Sequence, residues 1–218
     1  MSNYETSQIS DLKELINKLR ETQTLSKNEW SRLIDGRTSE LADYLFENAR
    51  EVRINHYGHD VYVRGLIEFT NYCRNDCYYC GIRRSNPNVH RYRLTKDEIL
   101  ECCRTGYELG FRTFVLQGGE DGWFTVSRLA DIVSDIHKNW PDCAITLSVG
   151  EMEHDAYQAL FDAGADRYLL RHETYDDAHY RMLHPASLSA LHRQNCLWDL
   201  KSIGYQIGTG FMVGAPFQ

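Results

Sequence analysis

The chain has 218 residues, a formal net charge of -7 and a hydrophobic fraction of 42%, as expected for a globular protein with one good-sized core. A nucleic-acid binder normally carries a basic stripe, because neutralisation of phosphates supplies most of its non-specific affinity. This sequence has no such stripe. Its apolar runs are too short to span a bilayer, and its first residues lack the basic start and apolar run of a secretory signal. We therefore expect a cytoplasmic protein with neither a nucleic-acid nor a membrane partner.

The first 58 residues predict a helical extension. Apolar residues recur at helical spacing in the first helix, at Ile9, Leu12, Ile16 and Leu19. Ser26 and Glu29 form a capping box that starts a second helix. A third helix carries an apolar face formed by Leu41, Leu45, Ala49 and Val52. We assign residues 1–58 to this extension and residues 59–218 to a second domain.

In the second domain, strands alternate with helices. Strands are predicted at residues 61–69, 111–117, 144–149, 166–171 and 206–213. Four helices connect them, the first of which starts at a capping box formed by Thr95 and Glu98 and the last of which spans residues 188–203. This alternation indicates βαβ units and a parallel sheet.

Five strands fit either a doubly wound sheet or an incomplete barrel. A closed eight-stranded barrel needs roughly 250 residues, more than are present here. The chain ends directly after a strand, which would leave a bare sheet edge of the kind that natural proteins avoid. The predicted fold class is therefore α/β, a partial TIM-type (β/α) barrel that is incomplete and truncated at its C-terminus.

Three of the seven cysteines form the central motif. Cys73, Cys77 and Cys80 are separated by three and then two residues and follow the first predicted strand. An odd number of cysteines in a cytosolic chain argues against a disulfide framework. The remaining four are expected to be small core residues, namely Cys102, Cys103, Cys143 and Cys196.

Thiolates that converge in one loop are typical ligands of iron–sulfur clusters. A structural zinc site would need four ligands, and an electron-transferring ferredoxin would supply a fourth cysteine. Three ligands leave one iron of a 4Fe-4S cluster open for another molecule. We therefore expect Cys73, Cys77 and Cys80 to be metal ligands and to carry the catalysis.

This Cys-x-x-x-Cys-x-x-Cys motif at the end of the first strand resembles the defining motif of the radical S-adenosylmethionine (SAM) superfamily. The resemblance implies a 4Fe-4S cluster that binds SAM through its open iron and cleaves it to a 5′-deoxyadenosyl radical. Gly118, Gly119 and Glu120 resemble the motif for the SAM amino group, although they could form a plain turn. Tyr79 would lie against adenine, unless it packs in the core.

Polar residues at the ends of later strands are also candidates, because α/β barrels place their chemistry there. They are Thr146, Ser148 and Glu151 after the third strand and Arg171, His172 and Glu173 after the fourth. Arg193 on the next helix suits carboxylate binding, unless it is an ordinary surface arginine. The basic residues Arg83, Arg84, His90, Arg91 and Arg93 form either a solvated loop or a cap over an anionic group.

Five segments resemble the HydE-type maturases of iron–iron hydrogenases, namely residues 69–84, 116–121, 146–151, 166–174 and 204–216. The resemblance implies that Glu173 and Arg193 contact SAM, with Arg193 on its carboxylate, and that Thr146 and Arg171 face the substrate cavity. It also implies a small-molecule or metal-complex substrate, a reducing electron donor and possible contacts with other hydrogenase maturation proteins.

Two alternatives remain at the level of sequence. The chain could be another radical SAM enzyme, similar to biotin synthase or methylornithine synthase. It could instead be a non-catalytic scaffold that passes a metal cluster to a partner, in which case it would not cleave SAM.

Overall fold

The computed structural model describes residues 3–218, and their side chains from residue 8 onward. Contacts divide the chain into two compact units, Met1–Tyr62 and Val63–Gln218. Met1 and Ser2, part of the segment inspected for a secretory signal, lie outside the described residues. None of the described helices has the length and apolar character needed to cross a membrane.

The first unit contains the three predicted helices, α1 (Asn3–Thr22), α2 (Lys27–Asp35) and α3 (Ser39–Tyr57). The predicted capping box at the start of α2 is confirmed, because Ser26 and Glu29 exchange backbone and side-chain hydrogen bonds. The apolar faces of the helices share one small core, which consists of Leu12, Leu15, Ile16, Leu25, Leu33 and Leu41.

The second unit is a five-stranded parallel sheet in which helices connect the successive strands. Its elements are β1 (Gly65–Thr70), α4 (Lys96–Glu108), β2 (Thr113–Gly118), α5 (Val126–Asn139), β3 (Ala144–Ser148), α6 (His154–Asp162), β4 (Arg167–Leu169), α7 (Asp177–Leu183), α8 (Ala190–Ile203) and β5 (Gln206–Gly208). The strand order is β1-β2-β3-β4-β5, without the reversal that defines a doubly wound sheet. The predicted partial barrel is confirmed.

The structure corrects the start of β1 and the end of β5 and adds one helix that the sequence did not predict. β1 starts at Gly65 rather than at residue 61, because Val61 and Val63 are 81% and 62% exposed and lie outside the sheet. β5 ends at Gly208, after which only a single bridge joins Phe211 to Glu173. The sequence analysis missed α7, a short helix of seven residues that is capped by the Asp176 side chain.

The two faces of the sheet differ in chemistry. The face against the helices is apolar and buried, and consists of Ile67, Phe69, Phe114, Leu116, Ile145, Leu147, Tyr168 and Leu170. The alternate residues point to the opposite face, which is partly exposed and carries polar groups at Glu68, Gln117, Thr146, Ser148 and Arg167. A barrel places such a face toward its interior, so the polar face is where a ligand would meet the sheet.

Tyr168→Phe tests how the core supports the end of β3. The Tyr168 hydroxyl is fully buried and donates a 2.8 Å hydrogen bond to the Gly150 carbonyl. We expect the change to lower the free energy of unfolding by about 1 kcal/mol in urea titrations, because the hydrogen bond of a buried hydroxyl is lost. Tyr107→Phe is the control, since that hydroxyl bonds to Asp142 at the surface. Equal effects in both variants would contradict the assignment.

Candidate functional site

The three motif cysteines lie in the loop between β1 and α4, and all are free thiols of intermediate burial. Backbone hydrogen bonds fix this loop at two places. The Arg74 amide donates to the Glu120 carbonyl after β2 at 2.9 Å, and the Tyr78 amide donates to the Leu183 carbonyl at the end of α7 at 3.0 Å. The loop is therefore held between the end of β2 and a helix far along the chain.

The thiols are close enough to influence one another. Burial raises the pKa of Cys73, and burial raises that of Cys77 to about 11; in both cases a neighbouring thiol adds to the rise. The Arg193 guanidinium acts in the opposite direction on Cys77. These two thiols are therefore protonated at neutral pH, and a metal must displace their protons when it binds.

Two of the basic residues after the motif, Arg91 and Arg93, stabilise the loop, a role that neither sequence interpretation included. Arg91 donates to the backbone carbonyls of Asn71, Ile82 and Arg83. Arg93 forms two hydrogen bonds to Asp121 and lies over the Tyr72 ring, 3.9 Å from its centroid.

The Gly-Gly-Glu segment packs directly against the cysteine loop. A Cβ atom on Gly119 would lie 2.2 Å from the Tyr72 carbonyl oxygen and 2.7 Å from the Cys73 Cβ, so only glycine fits this contact. The Glu120 carboxylate accepts hydrogen bonds from Arg74 Nε at 2.9 Å and from the Glu151 amide at 3.1 Å. A ligand ammonium would therefore have to share this carboxylate with two donors.

Arg193 is a buried cation, only 8% exposed, and the alternative of a surface arginine is wrong. Its Nε lies 2.7 Å from Glu151 Oε1, and its Nη1 donates to the Arg171 carbonyl at 3.0 Å. The guanidinium of α8 thus contacts the segments that follow β3 and β4.

Glu173 follows β4 in a backbone conformation that is rare for residues other than glycine, with a φ of 65°. Its amide donates to the Gly210 carbonyl and its carbonyl accepts from the Met212 amide, which holds it beside the segment after β5. Burial raises the pKa of its carboxyl group, while Arg193 opposes that rise. Strain of this kind is commonly retained at ligand sites.

Tyr79 is 40% exposed, so the alternative that it packs in the core is wrong. Its hydroxyl lies 3.1 Å from His184 Nε2, and the His184 Nδ1 lies 2.9 Å from the Tyr180 carbonyl. The Tyr180 ring stacks on His184 with 3.9 Å between centroids. Burial lowers the pKa of His184, so the neutral ring can accept a hydrogen bond from Tyr79 while donating one to Tyr180.

The remaining predicted residues differ in exposure. Thr146 and Ser148 lie half-buried on the polar face of the sheet, and the Thr146 hydroxyl is buried without a hydrogen-bond partner. The Arg171 side chain is exposed, although its carbonyl binds Arg193. Among the scattered cysteines, Cys103, Cys143 and Cys196 are buried as predicted, but Cys102 is exposed on α4 and that prediction is wrong.

Sequence reasoning missed the part of the site that α7 supplies. Tyr180 and His184 are four residues apart, a spacing that places them on one helical face, but α7 is too short for a clear apolar period.

A cavity of about 340 Å³ lies next to the site and is lined in part by Arg74, Glu120, Glu151 and His192.

Comparisons with known proteins identify a family. The model of the radical SAM superfamily matches residues 67–218. The [FeFe] hydrogenase maturase subunit HydE of Thermotoga maritima is 47% identical over 174 residues, which are 80% of this chain and 49% of that protein. The 3-methylornithine synthase of Methanosarcina barkeri is 31% identical over 94% of this chain and 59% of the relative.

The fold agrees with these relatives. A crystal structure of methylornithine synthase (PylB) superposes with a TM-score of 0.81 at 30% identity, over 92% of this chain and 59% of that one. The chain thus spans about half the length of the curated relatives that it matches.

Gly119→Ala tests the contact between the Gly-Gly-Glu segment and the cysteine loop. The added methyl group must push Tyr72 and Cys73 away, at a cost of about 1–3 kcal/mol. We expect a lower melting temperature and less iron and sulfide per chain after anaerobic reconstitution. Gly122→Ala is the matched control, because a Cβ there meets no atom within 4 Å. Normal iron uptake by Gly119→Ala would show that the contact does not shape the loop.

Proposed function

The chain belongs to the radical SAM superfamily, and we propose that it holds a 4Fe-4S cluster on Cys73, Cys77 and Cys80 and reductively cleaves SAM. The observation that carries this proposal is the position of three free, neighbouring thiols in one loop at the carboxyl end of the sheet, beside a buried guanidinium. Barrel enzymes place their active sites at this end.

The residues present fit such a cluster. Each cysteine would bind a different iron, so the thiols need not converge on one ion. In the described part of the chain, no three His, Cys, Asp or Glu groups are placed to hold a single metal ion. The other four cysteines lie outside the loop, on α4, before β3 and on α8. Three protein ligands would leave one iron for SAM.

The chain's own residues would bind and orient SAM. When bound, the cluster and SAM supply one-electron reductive cleavage that produces a 5′-deoxyadenosyl radical. Arg193 would bind the SAM carboxylate, Gly118, Gly119 and Glu120 its amino group, and Tyr79 its adenine ring. Glu173, next to Tyr79 and Arg193, would provide a further contact. The hydrogen bond from Tyr79 to His184 supports this arrangement, because it limits rotation of the tyrosine.

We further propose that the substrate lies on the polar face of the sheet, near Thr146, Ser148 and Arg171. The unpaired Thr146 hydroxyl supports this, because a buried polar group usually has a partner. Similarity to the maturase HydE, at 47% identity, favours a role in building the cofactor of iron–iron hydrogenase over the methylornithine synthase reaction, whose relative is 31% identical. A metal-complex or small-molecule substrate, a reducing electron donor, other maturation proteins and a cytoplasmic location complete the proposal.

An anaerobic assay tests the activity. The protein is reconstituted with iron and sulfide, reduced with dithionite and incubated with SAM. We expect 5′-deoxyadenosine and methionine to form in equal amounts. A protein that takes up a full cluster but releases no 5′-deoxyadenosine would favour the non-catalytic scaffold.

Cys77→Ala tests the ligand assignment. Two thiolates hold a cubane poorly, so we expect iron content and the cluster's visible absorbance to fall to a small fraction of the wild-type level. Cys143→Ala is the matched control, because Cys143 is a buried residue before β3 whose thiol points to the Phe111 carbonyl. Iron loss in the control with retention in Cys77→Ala would overturn the assignment.

A further inference from the structure

A series of charged groups connects the cysteine loop to α8. Arg74 in the loop binds the Glu120 carboxylate, which also accepts the amide hydrogen of Glu151. The Glu151 side chain in turn contacts Arg193, whose Nη1 binds the Arg171 carbonyl. Three members of this series, Glu120, Glu151 and Arg171, follow the ends of β2, β3 and β4.

Glu151 is the buried member of this series that has no role in the proposed function, whereas Arg74 is exposed. Glu151 is 7% exposed, and its partner Arg193 is 8% exposed, so both charges are removed from water. An isolated buried charge is very costly, and an opposite charge in contact offsets much of that cost. Besides Arg193, the Glu151 carboxylate faces the Glu120 carboxylate, a like charge, and the half-exposed His192, whose Nε2 is 3.6 Å away.

The hydrogen-bonding groups of the Glu151–Arg193 pair are not all satisfied. Glu151 Oε1 and Arg193 Nε are 2.7 Å apart, yet both atoms are buried and neither has a well-aligned hydrogen bond within the described residues. Nη1 is bound to the Arg171 carbonyl. Protein groups thus occupy two sides of the guanidinium, with the Glu151 carboxylate at Nε and the Arg171 carbonyl at Nη1, and the Tyr180 hydroxyl is a further hydrogen-bonding neighbour. A guanidinium fixed at two nitrogens presents its remaining donors in one direction.

We propose that Glu151 is a positioning residue that holds the Arg193 guanidinium in the orientation that receives the carboxylate of SAM. The proposal rests on the proposed function, since Arg193 is the carboxylate-binding group there. Glu151 lies on the Nε side of the guanidinium and would act without touching the ligand. Fixing the side chain in advance lowers the entropy cost of binding.

The pair also defines the charge that the ligand meets. Glu151 offsets the charge of Arg193, Arg74 offsets that of Glu120, and the buried acid Glu173 also faces Arg193, so these groups leave no free positive charge. A ligand that brought only a carboxylate would add an uncompensated negative charge. The methionine end of SAM carries an ammonium as well as a carboxylate, and its binding preserves the balance.

Binding measurements on the reconstituted, unreduced protein test the proposal without turnover. SAM is compared with 5′-methylthioadenosine, which has the same nucleoside and a thioether but no amino-acid group. In Glu151→Gln, which keeps the shape and removes the charge, we expect the dissociation constant of SAM to rise about tenfold or more. The affinity for 5′-methylthioadenosine should stay at the wild-type value.

Glu153→Gln is the matched control, because Glu153 is an exposed carboxylate two residues away whose side chain makes no capping hydrogen bond. Unchanged or tighter SAM binding by Glu151→Gln would overturn the proposal, the latter because Glu151 would then compete with the ligand. An equal loss for both ligands would also overturn it, since that is the result of a general structural role. If the wild-type protein binds no SAM, the proposed function fails instead.

Should Glu151→Gln fail to fold or to take up iron, Glu151→Asp provides the same test. It keeps the charge but shortens the reach to Arg193. We expect a selective loss of SAM affinity that is smaller than the loss expected for glutamine, and equal affinity to wild type would overturn the proposal.

Discussion

The burial of the Arg193 charge is the constraint on which the candidate site depends. A guanidinium with 8% exposure is tolerated only with an opposite charge in contact, and Glu151 supplies that charge at 2.7 Å. Because one residue follows β3 and the other lies on α8, the pair fixes two elements that share no strand pairing. The field of Arg193 also reaches Cys77 and Glu173, so one buried cation influences both a cysteine of the motif and the neighbouring acid.

The sheet brings these groups together through its topology. All five strands are parallel and follow one another in chain order, so every strand ends at the same edge. The cysteine loop, the Gly-Gly-Glu turn, Glu151 and Glu173 each come directly after a strand. Side chains that are far apart in sequence therefore become neighbours without any long excursion of the chain.

Sequence patterns predicted the features that depend on residues close together in the chain. The capping boxes at Ser26 and Thr95 and the apolar periods identified the helices, and the cysteine spacing identified the loop. The start of β1 was wrong, because a β-branched run forms a strand only where a partner pairs with it. The contacts of Arg91 with three carbonyls and the stacking of Tyr180 on His184 depend on tertiary packing, which no local pattern records.

The contact between Tyr79 and His184 has a consequence for biogenesis. The two residues are 105 positions apart, so the cysteine loop gains this support only after α7 has left the ribosome. Until then the three thiols of a nascent chain would lie on a segment without its final conformation. Contacts between residues so far apart in sequence form slowly. Iron inserted during translation would therefore bind a flexible cysteine loop whose thiols are open to oxidation. Iron inserted after release of the chain would bind a loop that is already folded.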